Sequence, residues 1–229
     1  MTIGILPSTY HRKFLAEVIG TFTLVFCGTG AMIVNEITGG VVTHVGVAVT
    51  FGLVVSAVVF AFGDISGAHI NPAVTIAFAV AGRFPKKEII LYVVAQLVGA
   101  FLASGLLKFL FPQSLNLGAT LPSGSEIQSF ILEIILMFFL MTVILNIATG
   151  AKESGMLAGI AVGSIVLVEA MFAGPISGAS MNPARSIAPA VLSGVLDHLW
   201  IYIVAPVIGA TLAVLPWQVT KGKLLGSEN

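Results

Sequence analysis

Apolar residues fill this chain in long unbroken runs, with neither the alternation of a half-buried strand nor the stripe of a surface helix. Six runs are long enough to span a bilayer, which takes about 20 apolar residues. They cover approximately 14–34, 43–63, 88–110, 128–149, 155–174 and 197–219. Two shorter runs follow the second and the fifth, at about 71–81 and 182–192, and each begins Asn-Pro-Ala. They are too short to cross, so the pattern predicts re-entrant half-helices. The run 14–34 is too long for the core of a cleavable signal peptide and reads as the first spanning helix.

Composition agrees. The 229 residues are 57% hydrophobic and 9% charged, against about 25% charged in a soluble domain. Mean hydropathy is +1.07. The chain lacks the charged surface a soluble fold needs, so its solvent is the lipid bilayer. A net charge of zero removes the case for nucleic-acid binding. The lone cysteine, Cys27, lies in an apolar run and reads as a small packing residue. The histidines, His11, His44, His69 and His198, share no metal-ligand spacing. We expect no metal, no cofactor and no enzymatic constellation. His44 and His198 read as interfacial residues at helix ends.

The chain repeats itself. Ile65-Ser66-Gly67-Ala68-His69-Ile70-Asn71-Pro72-Ala73 matches Ile176-Ser177-Gly178-Ala179-Ser180-Met181-Asn182-Pro183-Ala184 at an offset of 111. The stretch from Tyr92 to Ala103 matches Tyr202 to Ala213 at an offset of 110. Near-constant offsets argue for duplication, and Glu17 and Glu133 lie early in the first helix of each half. The expected boundaries are a first repeat at 14–110, a linker at 111–126 and a second repeat at 127–219, within one domain of 1–229. Each half has three crossings, so the second must be inverted. Inverted repeats place a shared site near the bilayer midplane, often at broken helices. Arg12, Lys13, Arg83, Lys86, Lys87, Lys152, Lys221 and Lys223 fall on one side; Lys108 and Arg185 fall towards the other. This bias predicts cytoplasmic termini and an external linker.

The two motif regions carry the candidate chemistry. Asn71 and Asn182 suit helix N-caps, with Pro72 and Pro183 at the first helical position and Ala73 and Ala184 following. Two inverted half-helices meeting end to end converge their positive ends at the bilayer centre, repelling cations and offering amide donors to neutral oxygens. Non-helical backbone at membrane depth must line water, so Gly67, Ala68, His69, Gly178 and Ser180 are expected along a pore. Arg185 sits at about the third position of the second half-helix, where it opposes the helix dipole, and at membrane depth it reads as functional. Its repeat-related position holds Val74. Glu17 and Glu133 read as carboxylates supporting the unwound backbone of their own half. Glu169 has no repeat partner. The pore, a subunit interface and the lipid all stay open for it.

These residues resemble the major intrinsic protein family of aquaporins and glycerol channels, over nearly the whole chain. The similarity rests on the paired Ser-Gly-Ala-x-x-Asn-Pro-Ala motifs, the Arg directly after the second, and the two helix-borne glutamates. Phe172 to Ser186, Gly82-Arg83-Phe84-Pro85 and Leu121-Pro122-Ser123-Gly124-Ser125 look like the nodulin-26-like branch. The resemblance implies an all-α hourglass of six transmembrane helices and two re-entrant half-helices. It also implies a passive pore in each subunit of a homotetramer in the cell membrane, and a four-residue selectivity filter. By motif spacing the filter falls on Phe51, Ala170, Ala179 and Arg185.

That quartet departs from common types. Strict water channels carry a histidine where this chain has Ala170. Glycerol channels usually have a second aromatic where it has Ala179, and tend to have Asp where it has Ser186. Nodulin-26-like plant members commonly carry Trp or a small residue at the Phe51 position. A ring of one aromatic, two methyl-sized positions and one cation is wider and less polar than a water-only filter. The expectation is a channel for water and small uncharged solutes: glycerol, urea, or undissociated arsenous or boric acid. An effectively water-only channel and an ion-coupled transporter, with Glu169 or His69 as the only coupling candidates, are the alternatives. Loop 149–154 and the C-terminal tail are the candidate gating segments, with no regulatory motif evident.

Overall fold

The computed structural model describes residues 9–148 and 154–221. The loop at 149–153 and the last residues of the C-terminal tail, with Lys152 and Lys223, lie outside the described residues, so the gating expectation there has no structural account. Nine α-helices and no strands are found among the described residues. They are α1 (Thr9–Ile37), α2 (Thr43–Ser66), α3 (Pro72–Val80), α4 (Ile89–Leu110), α5 (Glu126–Ala148), α6 (Ser154–Ser177), α7 (Pro183–Ser193), α8 (Leu199–Leu212) and α9 (Val214–Thr220). A short 3₁₀ turn, Lys86–Glu88, leads into α4. Six helical stretches are long and apolar enough to cross a membrane, the last of them running through α8 and α9. The first two helices extend beyond the apolar runs: α1 spans Thr9–Ile37, and α2 continues to Ser66, whose buried hydroxyl bonds Glu17.

Helix pairing reproduces the duplication. α1 packs along α4 as α5 packs along α8, and α1 meets α2 as α5 meets α6. α4 meets α7 as α8 meets α3, while α2 runs along α6 and α3 touches α7. Exchanging the first four helices with α5–α8 maps the first three kinds of pair onto their partners and the α2–α6 and α3–α7 pairs onto themselves. One glycine in each half makes the closest approach possible. A Cβ on Gly99 would lie 2.3 Å from the Val18 carbonyl oxygen of α1, and one on Gly209 would lie 2.2 Å from that of Ile134 on α5. Small residues let backbones approach where lipid supplies no hydrophobic drive between helices.

The outer faces are apolar. Ile90, Ile127 and Phe109 are more than two-thirds exposed, as suits helices facing lipid and not water. Polar side chains are gathered inside, around two short non-helical segments, 67–71 and 178–182, where α2 and α6 end and the half-helices α3 and α7 begin.

Candidate functional site

Both half-helices start as their N-terminal residues dictate. Asn71 is extended (φ −158°) and its side-chain oxygen accepts from the Ala73 N–H at 2.9 Å. Asn182 is extended (φ −150°) and accepts from Ala184 at 3.0 Å and Arg185 at 3.4 Å. Pro72 and Pro183 follow as the first helical residues, where a missing N–H costs nothing. The two helices are then joined through their caps. Asn71 Nδ2 donates to the Met181 carbonyl at 2.7 Å, and Asn182 Nδ2 donates to the Ile70 carbonyl at 2.8 Å. Each amide keeps one hydrogen for the lumen.

The segments feeding these caps are held in conformations that non-glycine residues avoid. φ is +45° at Ala68 and Ile70, and +42° and +53° at their counterparts Ala179 and Met181. Such residues cost on the order of 1–3 kcal/mol each and persist only when their surroundings over-determine them. A buried carboxylate does that in each half. Glu17 accepts from the Ser66 hydroxyl (2.7 Å), the His69 N–H (2.9 Å) and the Ile70 N–H (2.7 Å). Glu133 accepts from the Ser177 hydroxyl (2.7 Å), the Ser180 N–H (2.9 Å) and the Met181 N–H (2.8 Å). Tyr92 and Tyr202 complete the clamp by donating to the Ser66 and Ser177 carbonyls, both at 2.7 Å. The halves differ at one member. Gln96 also donates to Glu17 at 2.8 Å, while the repeat places Pro206 at its counterpart.

A cavity of about 360 Å³ runs past these segments, room for a file on the order of ten or more waters. Its walls include Gly67, Ala68, His69, Ile70, Asn71, Ala179, Ser180, Met181 and Asn182. At one end it reaches Ile147, Ala148 and Ala158; at the other, Phe51, Ala170 and Arg185. A smaller cavity of about 60 Å³ continues beyond, walled by Met32, His44, Gly174 and Gly178 among others. Phe51, Ala170 and Ala179 line both cavities, so these three side chains stand at the partition between them.

Arg185 stands at the same partition. It is 1% exposed, which excludes a side chain that snorkels to the interface. Its Nη1 donates to the Gly118 carbonyl at 2.9 Å and its Nη2 to the Met32 sulfur at 2.8 Å, and its carbon lies 5.2 Å from the centre of the Phe51 ring. The Phe51 ring is seated against α1 at Gly28, where a Cβ would lie 2.2 Å from the ring.

Several contributors to this site have no signature in sequence. The linker between the halves folds inward: Leu117 and Thr120 are buried, Gly118 holds Arg185, and Thr120 bonds the Ser186 hydroxyl at 2.7 Å. Ser186 in turn meets Ser180 at 2.5 Å, so the residue after the arginine ties the linker to the pore segment. Only the match of Tyr92 with Tyr202 in the repeat could have pointed to the clamp tyrosines.

The histidines and Glu169 divide differently. The His69 ring is packed among Phe78, Phe84 and Tyr92, and its Nδ1 meets the Thr75 hydroxyl at 3.1 Å. His198 begins α8 and pairs with Glu126 at 2.7 Å. His44, in the first turn of α2, does more than sit at an interface. It bonds the Met171 carbonyl at 2.6 Å and lines the smaller cavity. Glu169 is 2% exposed, too buried for the lipid or subunit surface that sequence left open, and it lines neither cavity. Both its carboxyl oxygens lack a hydrogen-bond partner. Among the described residues no group of three or more His, Cys, Asp or Glu could hold a metal ion.

Residues 6–217 match the family model described as Major intrinsic protein. The chain belongs to the major intrinsic protein family. Among its relatives are Aquaporin NIP1-1 of Zea mays, 50% identical over 88% of this chain and 72% of the relative, and a probable NIP-type aquaporin of Nicotiana alata, 52% identical over 88% and 74%. Nodulin-26 of Glycine max is 44% identical over 93% and 79%. Among solved structures, the aquaglyceroporin from Plasmodium falciparum superposes with a TM-score of 0.84 at 27% identity, covering 94% of this chain and 98% of that one. This major intrinsic protein therefore has the aquaporin fold, and it is a membrane channel and not an enzyme.

Proposed function

We propose that this channel conducts water together with small uncharged solutes, and that Phe51, Ala170, Ala179 and Arg185 form its selectivity filter. The observation carrying this reading is that Phe51, Ala170 and Ala179 separate the two cavities while the Arg185 guanidinium lies over the Phe51 ring. A partition built from one ring, two methyl groups and a cation has no imidazole to narrow it. Pore diameter and lining donors set selectivity in such channels, and this lining supports glycerol, urea and undissociated arsenous or boric acid as the solutes. Arg185 supplies donors to their hydroxyls, and Phe51 covers their apolar side. Protons and cations are turned back at the paired caps, where the positive ends of α3 and α7 meet.

The same reading places the chain in the cell membrane as a homotetramer with cytoplasmic termini, on the lysine and arginine bias and the family likeness. Glu17 and Glu133 act as loop supports; of the two coupling candidates, Glu169 lines neither cavity, and the His69 ring is held among Phe78, Phe84 and Tyr92 with no acidic partner in the wall.

Stopped-flow light scattering on proteoliposomes, with water, glycerol and arsenite gradients, tests the proposal. Solute flux well above that of empty vesicles, independent of a pH or sodium gradient, is the expected result. Water flux alone would overturn the broad filter, and gradient-dependent flux would overturn the passive channel.

A further inference from the structure

The guanidinium of Arg185 has five N–H donors in a fixed fork. One Nη1 hydrogen goes to a backbone carbonyl, that of Gly118, and Nε has no partner. The Nη2 donor goes to the thioether of Met32 at 2.8 Å. A thioether is a weak acceptor, a poor match for a buried cation, and it comes from α1, which supplies none of the four filter positions. Met32 is partly exposed and lines the smaller cavity beside Phe51, Ala170 and Ala179. Its sulfur therefore touches the filter cation from the side through which a solute enters or leaves that partition.

We infer that Met32 is a further specificity-determining residue, whose sulfur occupies one Arg185 donor between permeation events and yields it to a passing hydroxyl. Conduction needs binding favourable enough for entry and weak enough for release. A carbonyl in place of the sulfur would keep the donor; a hydrocarbon would leave it bare to every passing oxygen. The soft, flexible thioether lies between these limits. Met32 is thereby a positioning residue acting through Arg185. The inference rests on the reading of Arg185 as a filter donor.

Met32→Leu and Met32→Gln in proteoliposomes test it. Leu keeps the volume and removes the acceptor; Gln supplies a stronger one. Osmotic water flux in the same vesicles shows that each variant is folded. The glycerol-to-water permeability ratio is expected to rise about threefold in Met32→Leu and to fall by a similar factor in Met32→Gln, the scale of one modest hydrogen bond. A purely steric role would not separate these near-isosteric changes in opposite directions. If both variants keep the wild-type ratio, or move it the same way, the inference is wrong. If the wild type passes water but no glycerol, the broad-solute reading fails by itself. Met32 is then judged on water permeability, which must fall on opposite sides of wild type in the two variants.

Discussion

Asn71 and Asn182 are bonded crosswise, each amide donating to the carbonyl of the residue before the other, at 2.7 and 2.8 Å. Each also caps its own half-helix through the side-chain oxygen. One residue type thus closes the helix start, links the two halves and leaves a single donor for the lumen. Asparagine meets all three demands, since aspartate lacks the donor and serine lacks the second arm.

Replacing Asn182 by Asp should keep the cap and lose the link. A carboxylate accepts from Ala184 as the amide does, and helix N-termini favour anions. It also places negative charge beside the convergent helix ends. Asn182→Asp is expected to fold and to raise proton or cation leak, read as dissipation of a pH gradient in proteoliposomes. Asn182→Ala loses the cap as well and should lower stability by about 1–2 kcal/mol in a detergent melt.

Glu133→Gln and Glu17→Gln should both destabilise the protein. Each carboxylate accepts from one serine hydroxyl and two backbone N–H groups, using both oxygens, and Glu17 accepts from Gln96 as well. An amide turns one acceptor into a donor facing an N–H, and a buried group left unsatisfied costs about 1–3 kcal/mol. Thermal unfolding in detergent checks this. Losses of this order are expected in both variants from the three shared bonds, with Glu17→Gln also disturbing the bond from Gln96. A loss of solute flux with no change in stability would indicate a relay and not a support.

Glu169 gives the opposite expectation. A buried carboxyl with no partner contributes nothing to fold stability. Glu169→Leu should leave water and solute flux near wild type and leave the melting temperature unchanged or raised. Abolished flux would bring back the coupled transporter, for which Glu169 is the strongest group.

Gly28→Ala tests how the Phe51 wall of the proposed filter is seated. The added Cβ would sit 2.2 Å from the Phe51 ring, so the ring must move towards the lumen. Glycerol flux should fall several-fold while water flux falls less, because a narrower aperture excludes the larger solute first. Phe51→Trp should act in the same direction.

The spans, the half-helices, their asparagine caps and the pairing of Glu17 and Glu133 with local backbone follow from run length, the Asn-Pro start and the repeat. These are local or periodic features, and a membrane enforces them strongly because every backbone polar group must be satisfied. The inward fold of the linker at Gly118 and Thr120, the contact of Met32 with Arg185 and the seat of Phe51 on Gly28 are different. They join residues distant in sequence through shape, with no period or motif to announce them. Glu169 shows the same limit: burial against neighbouring helices decides its surroundings, and nothing in its own run does.

The proposed filter is tested most directly by the glycerol-to-water permeability ratio of Ala170→His against wild type in proteoliposomes. Ala170 stands at the partition between the cavities, and an imidazole there narrows the aperture and adds a polar group. The ratio is expected to fall at least about tenfold, with water permeability largely kept, since pore diameter sets the selection. An unchanged ratio in a variant that still conducts water would place the selective step elsewhere and contradict the filter proposed.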